Sequence, residues 1–213
     1  MDDTVIGGNS LRQFGLSELK QGHISPQHFF VGCGRLFLYK LNILDIEKAY
    51  AATVIPYKGM VEKDVEIRAR DFAEKNLVTC VFKEAQKTIE HHRSQGHKLV
   101  MATNSSVHLA EAVGDALGFD AVIGNEFPSD QNGKLLGTFA KPLCTKAGKL
   151  ARVATWAKGA GVDLRTSYFY SDSYSDINLF EAVGHPVAIN ADPKLKSHAV
   201  KNRWQTARWS EKI

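Results

Sequence analysis

The stretch "HKLVMATNSSVHLAEAVGDALG", residues 97–118, decides the fold of this 213-residue chain. Its apolar run at 99–102 is typical of a parallel strand that is buried on both faces. The segment that follows, "SSVHLAEAVGDALG", has the pattern of a capped helix. A strand followed directly by a helix is the repeating unit of a parallel α/β sheet.

The same alternation continues toward the C-terminus. The sequence predicts strands in "FDAVIGNEF", "SYFYSDS" and "HPVAIN" (119–127, 167–173, 185–190), and helices in "CTKAGKLARVATWAKGAG", "SDINLFEAVG" and "DPKLKSHAVKNRW" (144–161, 175–184, 192–204). Asn132-Gly133 is a strong hairpin signal. We therefore expect an open parallel sheet with helices on both faces, in which ligands bind at the carboxyl ends of the strands.

Residues before Gly96 predict helices instead. Ser10 is expected to cap a helix that runs to Gln21, and Ser25-Pro26 starts another. Three further helical segments are "DIEKAYAATV", "VEKDVEIRARDFAEKNL" and "CVFKEAQKTIEHHRSQG" (45–54, 61–77, 80–96). The architecture expected is a bundle of four or five helices followed by an α/β domain.

Length and composition are those of one large domain, or of a core domain with an insertion. Hydrophobic residues make up 44% and charged residues 23%. No apolar run approaches the length of a membrane span, so no membrane association is expected. Cys33, Cys80 and Cys144 form no CxxC pair, which favours a reduced, cytoplasmic protein.

The net charge of +4 is concentrated near the C-terminus. Residues 192–213 hold six basic side chains and two acidic ones, so this segment alone carries +4. A solvated basic segment explains this charge, so nucleic-acid binding, which would show a steep salt dependence, is not expected.

Three positions near predicted strand ends carry chemistry. Thr103 and Asn104 follow the first strand, where hydroxyl and backbone N–H groups bind anions or simply cap a helix. Asp172 and Asp176 follow "FYS", where carboxylates bind a divalent cation or cap the next helix. Lys149, in "CTKAGKL", either faces solvent or neutralises phosphate charge in the same pocket.

Taken in order, these motifs resemble the haloacid dehalogenase superfamily of phosphatases, and in particular its phosphoserine-phosphatase-like subfamily IB. The resemblance covers nearly the whole chain. "MDDTV" matches part of the family motif Asp-x-Asp-x-Thr, and Thr103, Lys149 and "DSYSD" match the other three motifs. The resemblance implies a Rossmann-like parallel-sheet core (96–213), an inserted helical-bundle cap of the C1 type (9–95) and a remnant of the first motif (1–8).

The resemblance also implies a Mg²⁺-dependent phosphomonoesterase that acts on a small phosphorylated metabolite through an aspartyl-phosphate. Asp2 is the implied general acid and base, its backbone carbonyl is a Mg²⁺ ligand, and the carboxylate of Asp172 is another. Asp176 would position a metal-bound water or a neighbouring ligand.

Four residues are implied to bind the substrate or to shape its loop. Thr103 and Lys149 would hold the phosphate oxygens, with Asn104 beside them, and Thr4 would fix the loop. Asn9 stands where phosphoserine phosphatases have a glutamate that recognises the substrate amine, which speaks against phosphoserine.

The motif register places the nucleophilic aspartate one position before Met1. The apolar strand that precedes this motif in the family would also lie outside the sequence. We therefore expect either that the sequence is truncated at its start or that the protein is an inactive relative that only binds phosphate ligands.

Overall fold

The computed structural model describes residues 1–41 and 43–212. Before residue 96 it contains five α-helices: α1 Ser10–Lys20, α2 Pro26–Lys40, α3 Ile46–Val54, α4 Glu62–Phe72 and α5 Lys83–Ser94. Strands and helices then alternate: β1 Val100–Ser106, α6 Val107–Leu117, β2 Ala121–Asn125, α7 Lys146–Ala160, β3 Tyr168–Ser171, α8 Ile177–Ala182, β4 His185–Ile189, α9 Pro193–Lys201 and β5 Gln205–Ala207. A π-helical turn, Ala73–Leu77, continues α4.

Local signals explain most helix starts. Ser25 caps α2 ahead of Pro26, and Ser106 caps α6. The predicted cap of α1 is wrong: Asn9 is the N-cap, since its side chain accepts the N–H of Arg12 at 2.8 Å. Ser10 is the first helical residue, and it is fully buried because its hydroxyl turns inward to the site described below.

The strands form two parallel sheets, with the orders β1-β2 and β3-β4-β5. Val100 pairs with Ala121 in the first sheet, and Tyr168 pairs with His185 in the second. The strand β5 was not predicted; it pairs with β4 beyond the predicted last helix. Asn132-Gly133 does form a tight turn, closed by a bridge between Ser129 and Leu135.

An open slot separates the two sheets. One wall is β1 with the residues that lead into it, and the other wall is β3. The slot has a volume of about 460 Å³. Within the described chain, β1 pairs only with β2, and β3 pairs only with β4.

The largest apolar cluster joins the helical region to the α/β region. Val65 and Ala69 of α4 pack in it with Leu109 and Val113 of α6, and Ile6 lies in the same cluster. The division into residues 1–8, 9–95 and 96–213 therefore stays a prediction, because the packing core is shared across it.

A buried ion pair connects α1 and α4. Glu18 of α1 is 1% exposed and accepts two hydrogen bonds from Arg68 of α4, at 2.9 and 3.0 Å. His23 contacts the same carboxylate at 3.0 Å. No helix among the described residues is long and apolar enough to span a bilayer.

A histidine pair beside the slot is expected to make the free energy of unfolding depend on pH. The Nδ1 atoms of His92 and His97 are 2.9 Å apart, and Nε2 of His92 is 2.8 Å from the hydroxyl of Tyr170. Burial, with repulsion from His97 and His91, lowers the pKa of His92. A histidine with a lowered folded-state pKa stabilises the fold above its unfolded pKa of about 6.5, and this stability is lost as the pH falls below that value.

We expect His92→Gln, which keeps a hydrogen-bonding amide but does not titrate, to flatten the fall in melting temperature between pH 8 and pH 5.5. The exposed His28 provides the control. An equal flattening by His28→Gln would show that His92 is not responsible.

Candidate active site

The site begins with a tight turn at the N-terminus. The carbonyl of Met1 accepts the N–H groups of Thr4, Val5 and Ile6, and Asp3 adopts a left-handed conformation with φ of 50°. The carboxylate of Asp3 faces away and accepts the N–H of Gly8 at 3.1 Å. This turn directs the side chains of Asp2 and Thr4 inward.

Ser10 holds the carboxylate of Asp2 through two hydrogen bonds. One carboxylate oxygen, Oδ2, accepts both the N–H and the hydroxyl of Ser10, at 3.0 and 3.1 Å. The hydroxyls of Ser10 and Ser105 are 2.9 Å apart, which connects Asp2 to the end of β1. Burial raises the pKa of Asp2, opposed by the amino group of Met1 and by the bonds from Ser10. A raised pKa suits a group that must both give and take a proton near neutral pH.

Asp172 directly follows β3 and contacts the N-terminal turn through Thr4. The hydroxyl of Thr4 donates to its Oδ1 at 3.0 Å. Burial raises the pKa of Asp172, while the amino group of Met1 and the bond from Thr4 lower it. Thr4, 3% exposed, therefore orients a carboxylate that is 168 positions away in sequence.

Lys149 and Asp176 form a buried pair. The ammonium of Lys149 donates to Oδ2 of Asp176 at 2.7 Å, and the hydroxyl of Ser171 donates to the same oxygen at 2.7 Å. Their side chains are 9% and 4% exposed. Gly148 lets the first turn of α7 approach the backbone of Leu143, because a Cβ at this position would collide with the Leu143 carbonyl. That close approach brings Lys149 into the interior.

The two predicted residues at the end of β1 occupy different environments. Thr103 is 2% exposed, and its hydroxyl oxygen accepts the N–H of Ser105 at 3.1 Å, which leaves the hydroxyl proton available to donate. Asn104 is exposed, and its backbone carbonyl accepts a hydrogen bond from the side-chain amide of Asn125 at 2.7 Å. Their proposed roles in substrate binding stay predictions.

Hydrogen bonds connect predicted site residues of different motifs: Thr4 donates to Asp172, Lys149 donates to Asp176, and Ser10 connects Asp2 with Ser105 at the end of β1. Burial lowers the pKa of the Met1 amino group, while the nearby carboxylates of Asp2, Asp172 and Asp176 raise it. These contacts place the predicted site residues at the carboxyl ends of β1 and β3.

The donor chemistry fits a magnesium ion. Oδ1 of Asp2 is buried and has no hydrogen-bond partner among the described residues. Two buried carboxyls with raised pKa values gain from a nearby cation. Mg²⁺ commonly uses one or two carboxylates and takes its other ligands from water and phosphate. Within residues 1–41 and 43–212, no group of three or more His, Cys, Asp or Glu side chains converges on a metal position.

Several supporting residues were not predicted from the sequence. The hydroxyls of Ser10 and Ser171 donate to Asp2 and Asp176, and Ser105 contacts the hydroxyl of Ser10. The amide of Asn190 donates to the carbonyl of Asp3 at 3.0 Å and accepts the N–H of Trp209 at 2.9 Å, which braces the turn against the C-terminal segment. Only the position of Asn190 at the end of a predicted strand pointed to this edge of the sheet.

Carboxylates, a buried lysine and hydroxyls at the carboxyl edge of parallel strands define an α/β enzyme of the phosphoryl-transfer class. The chain belongs to the haloacid dehalogenase-like hydrolase family, whose model matches residues 1–181. This match confirms the family, and the expected class is that of phosphoric monoester hydrolases.

Individual proteins are similar to this chain over most of its length. A histidinol-phosphatase of Neisseria meningitidis serogroup C is 23% identical over 96% of this chain and 94% of its own length. A protein of unknown function from Bordetella pertussis has a TM-score of 0.86 at 23% identity and covers 97% of this chain and 94% of its own. A probable phosphoserine phosphatase of Vibrio cholerae has a TM-score of 0.70 at 16% identity, over 97% of this chain and 59% of its own. These two structures confirm the fold.

Proposed function

We propose that this chain carries the active site of a Mg²⁺-dependent phosphomonoesterase that hydrolyses a small phosphorylated metabolite through an aspartyl-phosphate. The observation that carries the proposal is the set of hydrogen bonds that hold the site carboxylates: Thr4 donates to Asp172 at 3.0 Å, and Lys149 donates to Asp176 at 2.7 Å. In the motif register, the nucleophilic aspartate stands two positions before Asp2, and we propose that it acts in the same site.

Each residue then has a defined task. The nucleophilic carboxylate forms a bond to phosphorus while the bond to the leaving oxygen breaks, and Asp2 gives its proton to that oxygen. Asp2 next takes a proton from water, which attacks phosphorus and breaks the bond to the nucleophile. Its burial and its two bonds from Ser10 keep it oriented for both transfers.

Lys149 and Thr103 would hold the non-bridging phosphate oxygens. Asp176 fixes the direction of Lys149 and prevents it from turning away. Asp172 and the carbonyl of Asp2 would hold Mg²⁺, which when bound offsets charge between carboxylate and phosphate. Thr4 keeps Asp172 facing the site.

The relatives' names support phosphate-ester hydrolysis but differ in substrate. Asn9, the residue at the position of the substrate-binding glutamate, uses its side chain to cap α1. Since an asparagine has no carboxylate for a substrate amine, we propose that the substrate is a phosphorylated metabolite other than phosphoserine.

The metal part of the proposal is tested with Asp172→Asn. We expect this variant to lose the rise in melting temperature that Mg²⁺ with orthophosphate gives to the parent chain. Without metal it should melt at a higher temperature than the parent at pH 7.5, because burial disfavours the ionised carboxyl that the amide replaces.

The exposed Asp71→Asn is the matched control and should leave both quantities unchanged. An Asp172→Asn protein that keeps its full response to Mg²⁺ would remove Asp172 from the proposed metal site.

A further inference from the structure

Helix α2 carries an exposed apolar face. Phe30 and Phe37 are 67% and 61% exposed, and Val31, Leu38 and Leu41 are exposed as well. Because a helix turns by about 100° per residue, these five side chains lie within one arc of about 120°. Other parts of α2 pack against α3. We call the five residues the α2 stripe. A contiguous apolar patch of this kind marks a contact with a partner or with a membrane surface.

The surroundings of the α2 stripe are apolar at one end and cationic along one side. Ile43, 68% exposed, donates its N–H to the carbonyl of Leu38 at 3.0 Å and so extends the stripe beyond the helix. Arg35 is exposed and lies about 40° around the helix from Val31, at the edge of the arc. An apolar stripe with phenylalanine and leucine, bordered by a basic residue, is typical of a helix that lies in the plane of a bilayer surface.

The charge of this part of the chain has a single sign. Residues 19–44 contain no aspartate or glutamate and hold Lys20, Arg35 and Lys40, which gives a formal charge of +3. An anionic lipid surface attracts basic residues that lie beside an inserted apolar face. The charge therefore complements a surface of anionic lipid headgroups.

The acids nearest to this segment in sequence are already engaged. Glu18 accepts two hydrogen bonds from Arg68 and is buried. On the other side, Asp45 caps α3 by accepting the N–H of Glu47. The carboxylate of Glu47 in turn accepts a hydrogen bond from Lys141 at 2.6 Å. These contacts partly offset the negative charge on both flanks of the segment.

A second copy of the chain fits the α2 stripe less well. In a symmetric dimer the same surface serves both partners, so two Arg35 side chains would border one interface. Helix α2 has no acid that could pair with them. A phospholipid surface has no such conflict, since acyl chains accept the phenylalanine rings while Arg35 extends toward the phosphate groups.

We propose that α2 binds the surface of an anionic phospholipid bilayer, with the α2 stripe at the boundary between headgroups and acyl chains. Surface binding requires no helix that crosses the bilayer, so it is compatible with the lack of a spanning helix among the described residues. The inference concerns the helical region and does not depend on the phosphatase activity proposed above.

The test is cosedimentation of the full chain with vesicles of phosphatidylglycerol and phosphatidylcholine in equal parts. We expect the chain to bind these vesicles, and to bind vesicles of phosphatidylcholine alone about tenfold to a hundredfold more weakly. Raising NaCl from about 50 mM to about 500 mM should weaken the binding, because salt screens the charges. Hydrogen exchange should slow at residues 30–41 when the anionic vesicles are added.

Variants of exposed residues locate the contact. Phe37→Glu should weaken vesicle binding by about tenfold or more, whereas Phe37→Leu should stay within about threefold of the parent. Ile67→Glu on α4 is the matched control, since Ile67 is 55% exposed, and it should leave binding unchanged. If Phe37→Glu does not fold, Arg35→Gln replaces it and should weaken binding by about fivefold.

Three results would overturn the proposal. One is a chain that does not sediment with the anionic vesicles. Another is binding that Lys194→Gln/Lys196→Gln abolishes and Phe37→Glu leaves intact, which would place the lipid contact on the basic C-terminal segment. The third is a lipid-free dimer in analytical ultracentrifugation that Phe37→Glu dissociates, which would make a second copy the occupant of the α2 stripe.

Discussion

An apolar strand ending in aspartate, joined to Met1, is expected to give this chain Mg²⁺-dependent turnover of aryl phosphates. The chain that begins at Met1 should show none above background. The added aspartate would stand two positions before Asp2, where the motif register places the nucleophile. Asp2 is a poor substitute, because displacements of about 1 Å already cost on the order of 10²-fold in rate.

The measurement is a release assay with a generic aryl phosphate, with and without Mg²⁺, and a melting curve for each protein. The matched control has the same strand ending in asparagine. It should gain the same thermal stability as the aspartate form but no turnover, which separates filling of the slot from supply of the nucleophile.

Two outcomes would contradict the proposed function. Metal-dependent turnover by the chain beginning at Met1, blocked by Asp2→Asn, would make Asp2 the nucleophile. Binding of orthophosphate without turnover by the aspartate form would favour the inactive phosphate-binding protein.

Lys149→Met is expected to cause the largest loss of stability of any single change in the site. It removes the ammonium that is 2.7 Å from Asp176 and leaves that carboxylate buried with the hydroxyl of Ser171. Breaking one half of a buried ion pair costs about 3–5 kcal/mol. Urea unfolding at pH 7.5 measures this loss.

The double variant Lys149→Met/Asp176→Asn provides the comparison. Removing both charges should recover more than half of the loss, and the cycle with Asp176→Asn isolates the interaction. In the form with the added aspartate strand, Lys149→Met should also lower kcat by about 10²–10³-fold. A loss of stability below about 1 kcal/mol would show that the pair is solvated in solution.

The strands and helices after residue 96 were predictable because parallel strands buried on both faces are short apolar runs, and caps such as Ser106 mark the helices between them. The strand β5 escaped detection because Gln205, Thr206 and Ala207 are all exposed and show no apolar pattern. Its formation depends on pairing with β4, which is a long-range interaction.

The motif residues of the site were predictable, but their partners were not. Ser10 was assigned as a cap because the local rule does not distinguish it from Asn9. Its contact with Asp2 is set by the way the first turn folds back. The pairing of Lys149 with Asp176 likewise depends on the close approach at Gly148, which no periodicity reveals.

The hydrogen bonds of Asn190 have a consequence for the order in which parts of the molecule fold. Its bond to Asp3 spans 187 positions, and the bond from Thr4 to Asp172 spans 168. Contacts between such distant residues form slowly, because the entropy of closing a long loop is lost before the contact is gained. During synthesis the helices up to residue 94 emerge first and have local partners available. We therefore expect the turn that carries Asp2 and Thr4 to be among the last parts to settle, after the third and fourth strands have paired.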